Sequence, residues 1–280
     1  ICNENKLDSL FKDYKPDIVY HAAAYKHVPL LEHNIISAIE NNIIGTLNLV
    51  KISLRYGIKY FTLISSDKAV RPTNIMGASK RFAELVIQAY SNKNNDYCKF
   101  SVVRFGNVLG STGSVFPLFN KQISKGGPVT VTHPEVSRYF MTIIEAVGLI
   151  FQSSIFSRGG EVFVLNMGKS IKIIDLAEKM IKLSGKSIKN DKNINGDIEI
   201  DFIGLREGEK IHEEIFIGND IQETENKDIM KANEDFVNLE ILEKEINDLE
   251  NSIETNDYEN AIKVLEKCVN GFKYQSKFND

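Results

Sequence analysis

The sequence lacks the features that mark membrane-spanning and nucleic-acid-binding proteins. Its apolar runs are short: the stretch from Thr142 to Phe151 is interrupted by Glu145 and falls below the ~20 residues that a membrane-spanning helix needs. No basic block occurs, and the formal net charge is −4 at pH 7. Neither nucleic acid nor an anionic membrane surface is therefore an expected partner.

Cysteine is scarce, and its placement excludes two further classes of protein. Cys2, Cys98 and Cys268 are odd in number and share no metal-like spacing. They argue against a disulfide framework and favour a reduced, cytoplasmic compartment. The histidines lack carboxylate or cysteine neighbours at ligand spacing, so we expect no metal site.

The chain begins without an initiator methionine or a secretory signal. It opens on Ile1-Cys2-Asn3, and a helical pattern from Glu4 to Tyr14 leads directly into a strand at 17–21. That order is typical of the middle of an alternating strand–helix array. We therefore expect this sequence to be a fragment.

The first hundred residues alternate between two kinds of pattern. Short runs rich in β-branched and aromatic residues predict strands, and apolar residues recurring every three or four positions predict helices. The predicted order is strand 17–21, helix 37–56, strand 59–65, helix 74–90 and strand 99–104. This order predicts an α/β fold with a doubly wound parallel sheet and right-handed crossovers.

The pattern changes after Arg104, where a loop contains Gly106, Gly110 and Gly113. The elements predicted beyond it are helices at 116–125, 143–156 and 172–184, strands at 129–132, 161–166 and 198–203, and a solvated loop at 185–196. Apolar residues at helical spacing then predict a hairpin of two helices, 237–253 and 258–269, packed on the core or on a partner subunit. We accordingly divide the chain into 1–104, 105–217 and a helical tail, 218–280.

One stretch combines a strand end with chemically active side chains. The strand that ends near Ile64 is followed by Ser65, Ser66, Asp67 and Lys68, and a helix then carries Lys80. Ligands of doubly wound proteins lie beyond the carboxyl ends of the strands. Turn formation alone would explain Ser-Asp, whereas a hydroxyl, a carboxylate and two amines together favour a proton-transfer site.

Motifs spread through the chain resemble one family. They closely resemble the CapD-like polysaccharide-biosynthesis proteins, which are extended short-chain dehydrogenases acting as UDP-N-acetylglucosamine 4,6-dehydratases. The motifs that carry this resemblance are His21-Ala-Ala-Ala-Tyr-Lys-His-Val-Pro29, Ser65-Ser-Asp-Lys-Ala-Val-Arg-Pro72, Met76-Gly-Ala-Ser-Lys80, Arg104-Phe-Gly-Asn-Val-Leu-Gly110, Ser114-Val-Phe-Pro117, Thr130-Val-Thr-His-Pro134, Arg138-Tyr-Phe-Met-Thr142 and Arg206-Glu-Gly-Glu-Lys-Ile-His212.

The resemblance implies a Rossmann-type domain of which the chain holds only the C-terminal part. The Gly-rich turn that binds the cofactor pyrophosphate would lie upstream of Ile1, and no GxGxxG occurs in the sequence. Short-chain dehydrogenases place a tyrosine where this chain has Met76. A methionine at this position resembles the large, membrane-anchored branch of the CapD-like family. The expected full-length protein is a homo-oligomer on the cytoplasmic face of the inner membrane, while the fragment itself makes no membrane contact.

The resemblance also implies the residues that act. Ser66, Asp67, Lys68 and Lys80 would be catalytic, with Asp67 the acid for the C6 hydroxyl and Lys68 the base at C5. A thioether cannot transfer a proton, so Ser66 becomes the candidate for the O4 proton. The cofactor would be NAD or NADP, with NAD favoured. The residues implied to bind it are Ala23, Lys26, Asn42, Ser65, Met76, Lys80 and Val108.

A UDP-sugar substrate presents two phosphates and a uracil, which suit arginine forks and backbone donors. The resemblance implies that the 105–217 lobe binds it through Asn107, Val115, Thr130, Arg138, Arg206 and Glu209. Two alternatives stay open. A UDP-hexose 4-epimerase or reductase could use the same scaffold, although it needs no Asp-Lys pair; an inactive fragment could bind nucleotide sugar without turnover.

Overall fold

The computed structural model describes residues 1–94, 98–215 and 221–274. Its helices are α1 (Glu4–Tyr14), α2 (Val28–Glu32), α3 (Ile35–Ile39), α4 (Gly45–Arg55), α5 (Ile75–Asn94), α6 (Val115–Ser124), α7 (Ile143–Phe156), α8 (Ile173–Leu183), α9 (Leu239–Thr255) and α10 (Tyr258–Cys268). A π-helical turn spans Glu40–Ile44, and a 3₁₀ turn spans Asp67–Ala69. In the described part of the chain, no helix combines the length and apolar character needed to cross a bilayer.

The strands are short, and most pair in parallel. They are β1 (Ile18–His21), β2 (Tyr60–Ile64), β3 (Lys99–Arg104), β4 (Asn107–Val108), β5 (Val129–Val131), β6 (Ser137–Arg138), β7 (Phe140–Met141), β8 (Glu161–Leu165), β9 (Ile171–Lys172), β10 (Ile188–Lys189), β11 (Ile198–Phe202), β12 (Ile221–Glu223) and β13 (Ile229–Ala232).

The chain forms two compact units. One comprises residues 1–105, 149–166 and 214–280, and the other comprises 106–148 and 167–213. The tail after residue 220 therefore belongs to the same unit as the first hundred residues. The division of the chain into functional lobes at residue 105 stays a prediction, and the predicted boundary between 217 and 218 lies outside the described residues.

A six-stranded sheet in the order β1-β2-β3-β8-β13-β12 forms the centre of the first unit. Strands β1, β2, β3 and β8 are parallel, with Phe61 opposite Phe100 and Val102 opposite Val162. These residues are almost completely buried, which is typical of a parallel sheet covered on both faces. The predicted parallel α/β sheet is confirmed.

The tail differs from the prediction in one respect. Before its two helices it forms a β-hairpin, in which β13 pairs antiparallel with β8 and β12 pairs antiparallel with β13. The helices α9 and α10 then pack against each other and against α3 and α5. Their apolar residues, including Leu242, Leu249 and Leu265, are fully buried. The pair of helices α9 and α10 therefore covers the core of its own unit.

The predicted helix 37–56 is not a single α-helix. It is divided into α3 and α4 by the π-helical turn, whose extra residue shifts the helical register at Asn42. Such turns are frequent at functional sites. Ile39, Ile43 and Leu47 keep helical spacing across this turn, and all three are fully buried. The apolar pattern therefore did not reveal the π-helical turn.

The second unit has its own core and its own sheets. Strands β10, β11 and β5 form one parallel sheet, and β4 pairs with β7 and β6 with β9. Its core cluster is Phe119, Ile123, Val129, Val131, Val136, Ile173, Ala177, Met180, Ile181 and Ile198. The strand β10 lies within 185–196, which the sequence predicted to be a solvated loop.

Candidate active site

The polar turn after β2 lies against the end of β3. The backbone amide of Ser65 donates to the carbonyl of Val103 (2.8 Å), and that of Asp67 donates to the carbonyl of Phe105 (3.1 Å). These bonds continue the contact between β2 and β3 as far as Asp67, three residues beyond the end of β2. The side chains of Ser66, Asp67 and Lys68 are thus held at the carboxyl edge of the sheet, where doubly wound proteins bind ligands.

Ser66, Asp67 and Lys68 form one hydrogen-bonded cluster. The Ser66 hydroxyl donates to Asp67 Oδ1 (2.8 Å) and accepts from the Lys68 amide (3.2 Å). Lys68 Nζ also reaches Oδ1, at 3.0 Å, so this oxygen serves both neighbours. The second oxygen, Oδ2, is buried without a hydrogen-bond partner among the described residues. It is the carboxyl atom with a free position for a proton.

Burial differs sharply within the cluster. The Asp67 side chain is 0% exposed and that of Lys68 is 20% exposed. A buried ion pair keeps an attraction that water would weaken at the surface. The lysine can still contact a bound ligand, since part of its side chain faces solvent.

Lys80 lies in the second turn of α5 and points back to β2. Its Nζ donates to the carbonyl of Ile64 (3.0 Å), and the residue is 8% exposed. Burial lowers the pKa of Lys80 to about 8, against an opposing attraction from Glu84. Burial disfavours the ammonium form because it removes water from the charge.

The start of α5 is fixed against the 65–68 turn. The amide of Gly77 donates to the Asn74 side chain (2.8 Å), and the amide of Ile75 donates to the buried carboxylate of Glu32 (2.7 Å). At Gly77 a Cβ atom would lie 2.3 Å from the Lys68 carbonyl oxygen. Glycine is therefore required for the helix to approach the turn this closely.

Met76 occupies the position one helical turn before Lys80 and is 3% exposed. Its thioether offers no proton to transfer. Within the described cluster, Ser66 is the hydroxyl that hydrogen-bonds to a carboxylate at the turn. The structure thus brings together the predicted catalytic residues Ser66, Asp67 and Lys68, with Lys80 on the adjoining helix.

Asn42, at the π-helical turn, anchors the segment after β1. Its Oδ1 accepts from the Tyr25 amide (2.8 Å), and its Nδ2 donates to the Tyr25 carbonyl (3.1 Å) and to Ser79 Oγ (3.0 Å). Asn42 is 1% exposed, whereas Ala23 and Lys26 are exposed. This buried amide connects the end of β1 to the helix that carries Lys80.

His21, the last residue of β1, is held neutral. Its Nε2 lies 2.8 Å from Thr46 Oγ1, and Nδ1 is buried without a partner among the described residues. Burial, and next the charge of Lys80, lower the pKa of His21 to about 3. This histidine is a structural residue at neutral pH.

The predicted substrate residues of the second unit fall into two groups. Asn107 and Val115 are half-buried and lie in β4 and at the start of α6, and Val108, predicted to bind the cofactor, is half-buried next to Asn107 in β4. Thr130 is half-buried in β5 and exchanges two hydrogen bonds with Gln122: its hydroxyl accepts from Nε2 (2.8 Å), and its amide donates to Oε1 (3.2 Å). Its hydroxyl therefore already has an internal partner.

Arg138 and Glu209 belong to one internal network. Arg138 is 6% exposed and donates to the carbonyls of Ser137, Ile211 and Lys210, while its Nη2 lies 3.0 Å from Glu209. Glu209 also accepts from Thr132 and from the amide of Arg206. The pair holds the 206–211 segment, and the phosphate and ribose contacts implied for Arg138 and Glu209 stay predictions.

Arg206 differs from Arg138. Its side chain is exposed, and within the described ranges the guanidinium has neither a hydrogen bond nor an ion pair. A bidentate guanidinium suits a phosphate, so Arg206 is the arginine of the two with free donors.

The sequence did not reveal a buried ion network next to the turn. Arg104 and Glu84, both 0% exposed, form a two-point ion pair in which Arg104 Nε donates to Glu84 Oε1 (2.8 Å). Arg81 contacts Glu84 (2.9 Å), Ser65 donates its hydroxyl to Glu84, and Glu234 closes the network on the Arg104 side. Charged residues spaced this far apart along a chain give no sequence signal of contact.

The residues of the first unit fit one end of a nicotinamide cofactor. Lys80 Nζ uses one of its three donors on a described protein acceptor, leaving others for ribose hydroxyls. The exposed alanines at 22 and 23 leave the backbone accessible after β1. A Gly-rich pyrophosphate turn is absent from the sequence, so the fit concerns the nicotinamide end.

The profile of the family described as "Polysaccharide biosynthesis protein" matches residues 1–234. The chain belongs to this family. The resemblance in its motifs is thereby confirmed, and the match includes every residue predicted to act.

The curated relatives include both a nucleotide-sugar dehydratase and a nucleotide-sugar epimerase. The chain is 53% identical over 219 residues to the capsular polysaccharide biosynthesis protein CapD of Staphylococcus aureus, covering 78% of this chain and 35% of CapD. It is 34% identical over 220 residues to an inverting UDP-N-acetylglucosamine 4,6-dehydratase of Campylobacter jejuni, covering 78% of this chain and 60% of the dehydratase. It is 35% identical over 225 residues to a UDP-glucose 4-epimerase of Rickettsia bellii, covering 80% of this chain and 62% of the epimerase.

Solved structures share the fold. The X-ray structure of Pen from Bacillus thuringiensis superposes with a TM-score of 0.73 at 35% identity, covering 82% of this chain and 68% of Pen. A dTDP-glucose 4,6-dehydratase, DesIV from Streptomyces venezuelae with NAD bound, gives a TM-score of 0.65 at 18% identity, covering 76% of this chain and 68% of DesIV. The chain is thus an α/β member of this family, and it spans about a third of the length of CapD.

Proposed function

We propose that this chain carries the catalytic residues of a UDP-N-acetylglucosamine 4,6-dehydratase, which forms a UDP-4-keto-6-deoxy-hexosamine in surface polysaccharide synthesis. The observation that carries the proposal is the pairing of Asp67 and Lys68 beside Ser66. A dehydratase needs an acid and a base in addition to the group that handles the C4 hydroxyl, and the turn supplies all three.

Lys80 and the segment after β1 would hold a nicotinamide cofactor, for which NAD is favoured over NADP, and the cofactor would supply hydride chemistry at C4 and C6 of the sugar. Ser66 is oriented to take the O4 proton, since its hydroxyl already donates to Asp67 Oδ1 at 2.8 Å. Lys80, as a cation, favours the developing alkoxide at C4. Its pKa of about 8 leaves it mostly charged near neutral pH.

Elimination of water follows from the 4-ketone, which acidifies the C5–H bond. Lys68, once its ammonium proton has gone to solvent, takes the C5 proton as an amine and later returns a proton to C5. Asp67, protonated by the O4 proton that Ser66 passes on, donates it to the departing C6 hydroxyl, which leaves as water. The unpartnered Oδ2 of Asp67 is the atom available to carry that proton. Two groups placed side by side in this way are typical of general acid–base catalysis.

Substrate binding is assigned to the second unit. Arg206 has free donors for a diphosphate, and Asn107, Val115 and Thr130 are proposed to line the nucleotide-sugar site. Assembly as a homo-oligomer and attachment to the cytoplasmic face of a membrane stay predictions for the full-length protein.

The second candidate is a 4-epimerase, favoured by the Rickettsia relative at 35% identity. The product decides between them. Incubation of the full-length protein with NAD and UDP-N-acetylglucosamine should yield, by mass spectrometry, a nucleotide sugar lighter than the substrate by one water. A product of unchanged mass whose C4 configuration is inverted would identify an epimerase, and the absence of any product would favour the inactive alternative.

A further inference from the structure

A buried ion network lies beside the catalytic turn. It joins Ser65 after β2, Glu84 on α5, Arg104 at the end of β3 and Glu234 after β13. Buried ion pairs are often no more stabilising than apolar residues of the same volume.

Glu84 occupies the central position of this network. Its Oε1 accepts from Ser65 Oγ and Arg104 Nε, and its Oε2 accepts from Arg104 Nη2 and Arg81 Nη1. The pKa of Glu84 falls to about 2, because the two arginines and Ser65 outweigh the effect of burial. The carboxylate is thus a permanent negative charge.

Glu84 also lies one helical turn after Lys80, on the neighbouring position of α5. Among the described groups, Glu84 on the same helix raises the pKa of Lys80, and the charge of Lys80 in turn lowers the pKa of His21 on β1. His21 is neutral at pH 7, and the arginines at 81 and 104 bind Glu84. The carboxylate of Glu84 opposes the effect of burial on the pKa of Lys80.

We propose that Glu84 is a positioning residue for the reaction: it fixes Ser65 at the catalytic turn and places a carboxylate one helical turn from Lys80. This inference rests on the proposed function, in which Ser66 and Lys80 act on the C4 hydroxyl. The fixed Ser65 holds the backbone of the neighbouring Ser66, and the charged Lys80 stabilises the alkoxide.

Glu84→Gln and Glu234→Gln form a matched pair of variants. Each removes one carboxylate from Arg104, but in the described part of the chain the Ser65 hydroxyl donates to Glu84 and not to Glu234, and the attraction that raises the pKa of Lys80 comes from Glu84. The measurement is an NMR titration of Lys80 in full-length protein carrying ¹³C-labelled lysine, assigned with Lys80→Arg. We expect the Lys80 midpoint to fall by about one pH unit in Glu84→Gln and to stay near that of the wild type in Glu234→Gln.

Kinetics provide the second measurement. The basic limb of the kcat–pH profile should shift to lower pH in Glu84→Gln only, while Glu84→Asp, which keeps the charge, should restore it. Ser65→Ala leaves the arginine pairs intact and should lower kcat at saturating cofactor about tenfold, with the Lys80 titration unchanged; this variant decides the Ser65 role if Glu84→Gln does not fold.

Equal shifts in Glu84→Gln and Glu234→Gln, or no shift in either, would overturn the role assigned to the Glu84 charge. An unchanged kcat in Ser65→Ala would overturn the role assigned to the Ser65 contact. The titration does not depend on which reaction the protein catalyses, so an epimerase product would refute the proposed function without affecting this result.

Discussion

The buried His21 should make the stability of the fold sensitive to mild acid. Its pKa is about 3 in the folded protein and 6.5 in the unfolded chain. Between these values the unfolded chain binds a proton that the folded protein does not, so stability is lost as pH falls from 6.5 towards 3. At about 1.4 kcal/mol per pH unit the full window approaches ~5 kcal/mol.

The variant that isolates this effect is His21→Gln, which can still hydrogen-bond to Thr46. Urea unfolding followed by circular dichroism at pH 7 and pH 5 gives the free energy of unfolding of each protein. Over this range the wild type should lose about 2 kcal/mol more than the variant, because one histidine proton is bound almost wholly by the unfolded state. The exposed His27, changed to Gln, is the control and should keep the wild-type pH dependence. Identical pH dependence in His21→Gln and wild type would refute the reasoning.

Two further predictions concern the catalytic turn. Lys68→Ala should lower the rate of dehydration by about 10²–10⁴-fold while UDP-sugar binding, measured by calorimetry, is retained; the exposed Lys51→Ala is the control, and a near-normal rate would exclude Lys68 as the C5 base. Gly77→Ala should destabilise the protein by about 1–3 kcal/mol, because its Cβ would meet the Lys68 carbonyl at 2.3 Å. Gly148→Ala, where a Cβ meets no atom within 4 Å, should not destabilise it, and equal urea midpoints for the two variants would refute this explanation.

The parallel part of the sheet could be predicted from the sequence because each strand carries its own local signal. Runs such as Tyr60–Ile64 are apolar and β-branched, and the helices between them fix the direction of the next strand. The hairpin formed by β12 and β13 lacked such a signal. Its strands are short and depend on pairing with β8, a contact that links distant parts of the chain.

The polar turn after β2 could be predicted because its residues are consecutive, as at Ser66 and Asp67. The π-helical turn could not, since the apolar spacing from Ile39 to Leu47 remains helical across it. The ion network was equally hidden, because a charged residue such as Arg104 has the same appearance in the sequence whether it faces solvent or a buried Glu84. Burial and long-range contact decide such cases, and both arise only from the folded chain.

Exchange of the C5 proton with solvent tests the central claim most directly. The proposed dehydratase removes that proton through Lys68 and replaces it from solvent, whereas a 4-epimerase leaves the C5–H bond intact. The full-length protein is incubated with UDP-N-acetylglucosamine in D₂O, and the product is examined by NMR. The account predicts a 4-keto-6-deoxy sugar that carries deuterium at C5. Turnover to a product that retains the original C5 proton would contradict it.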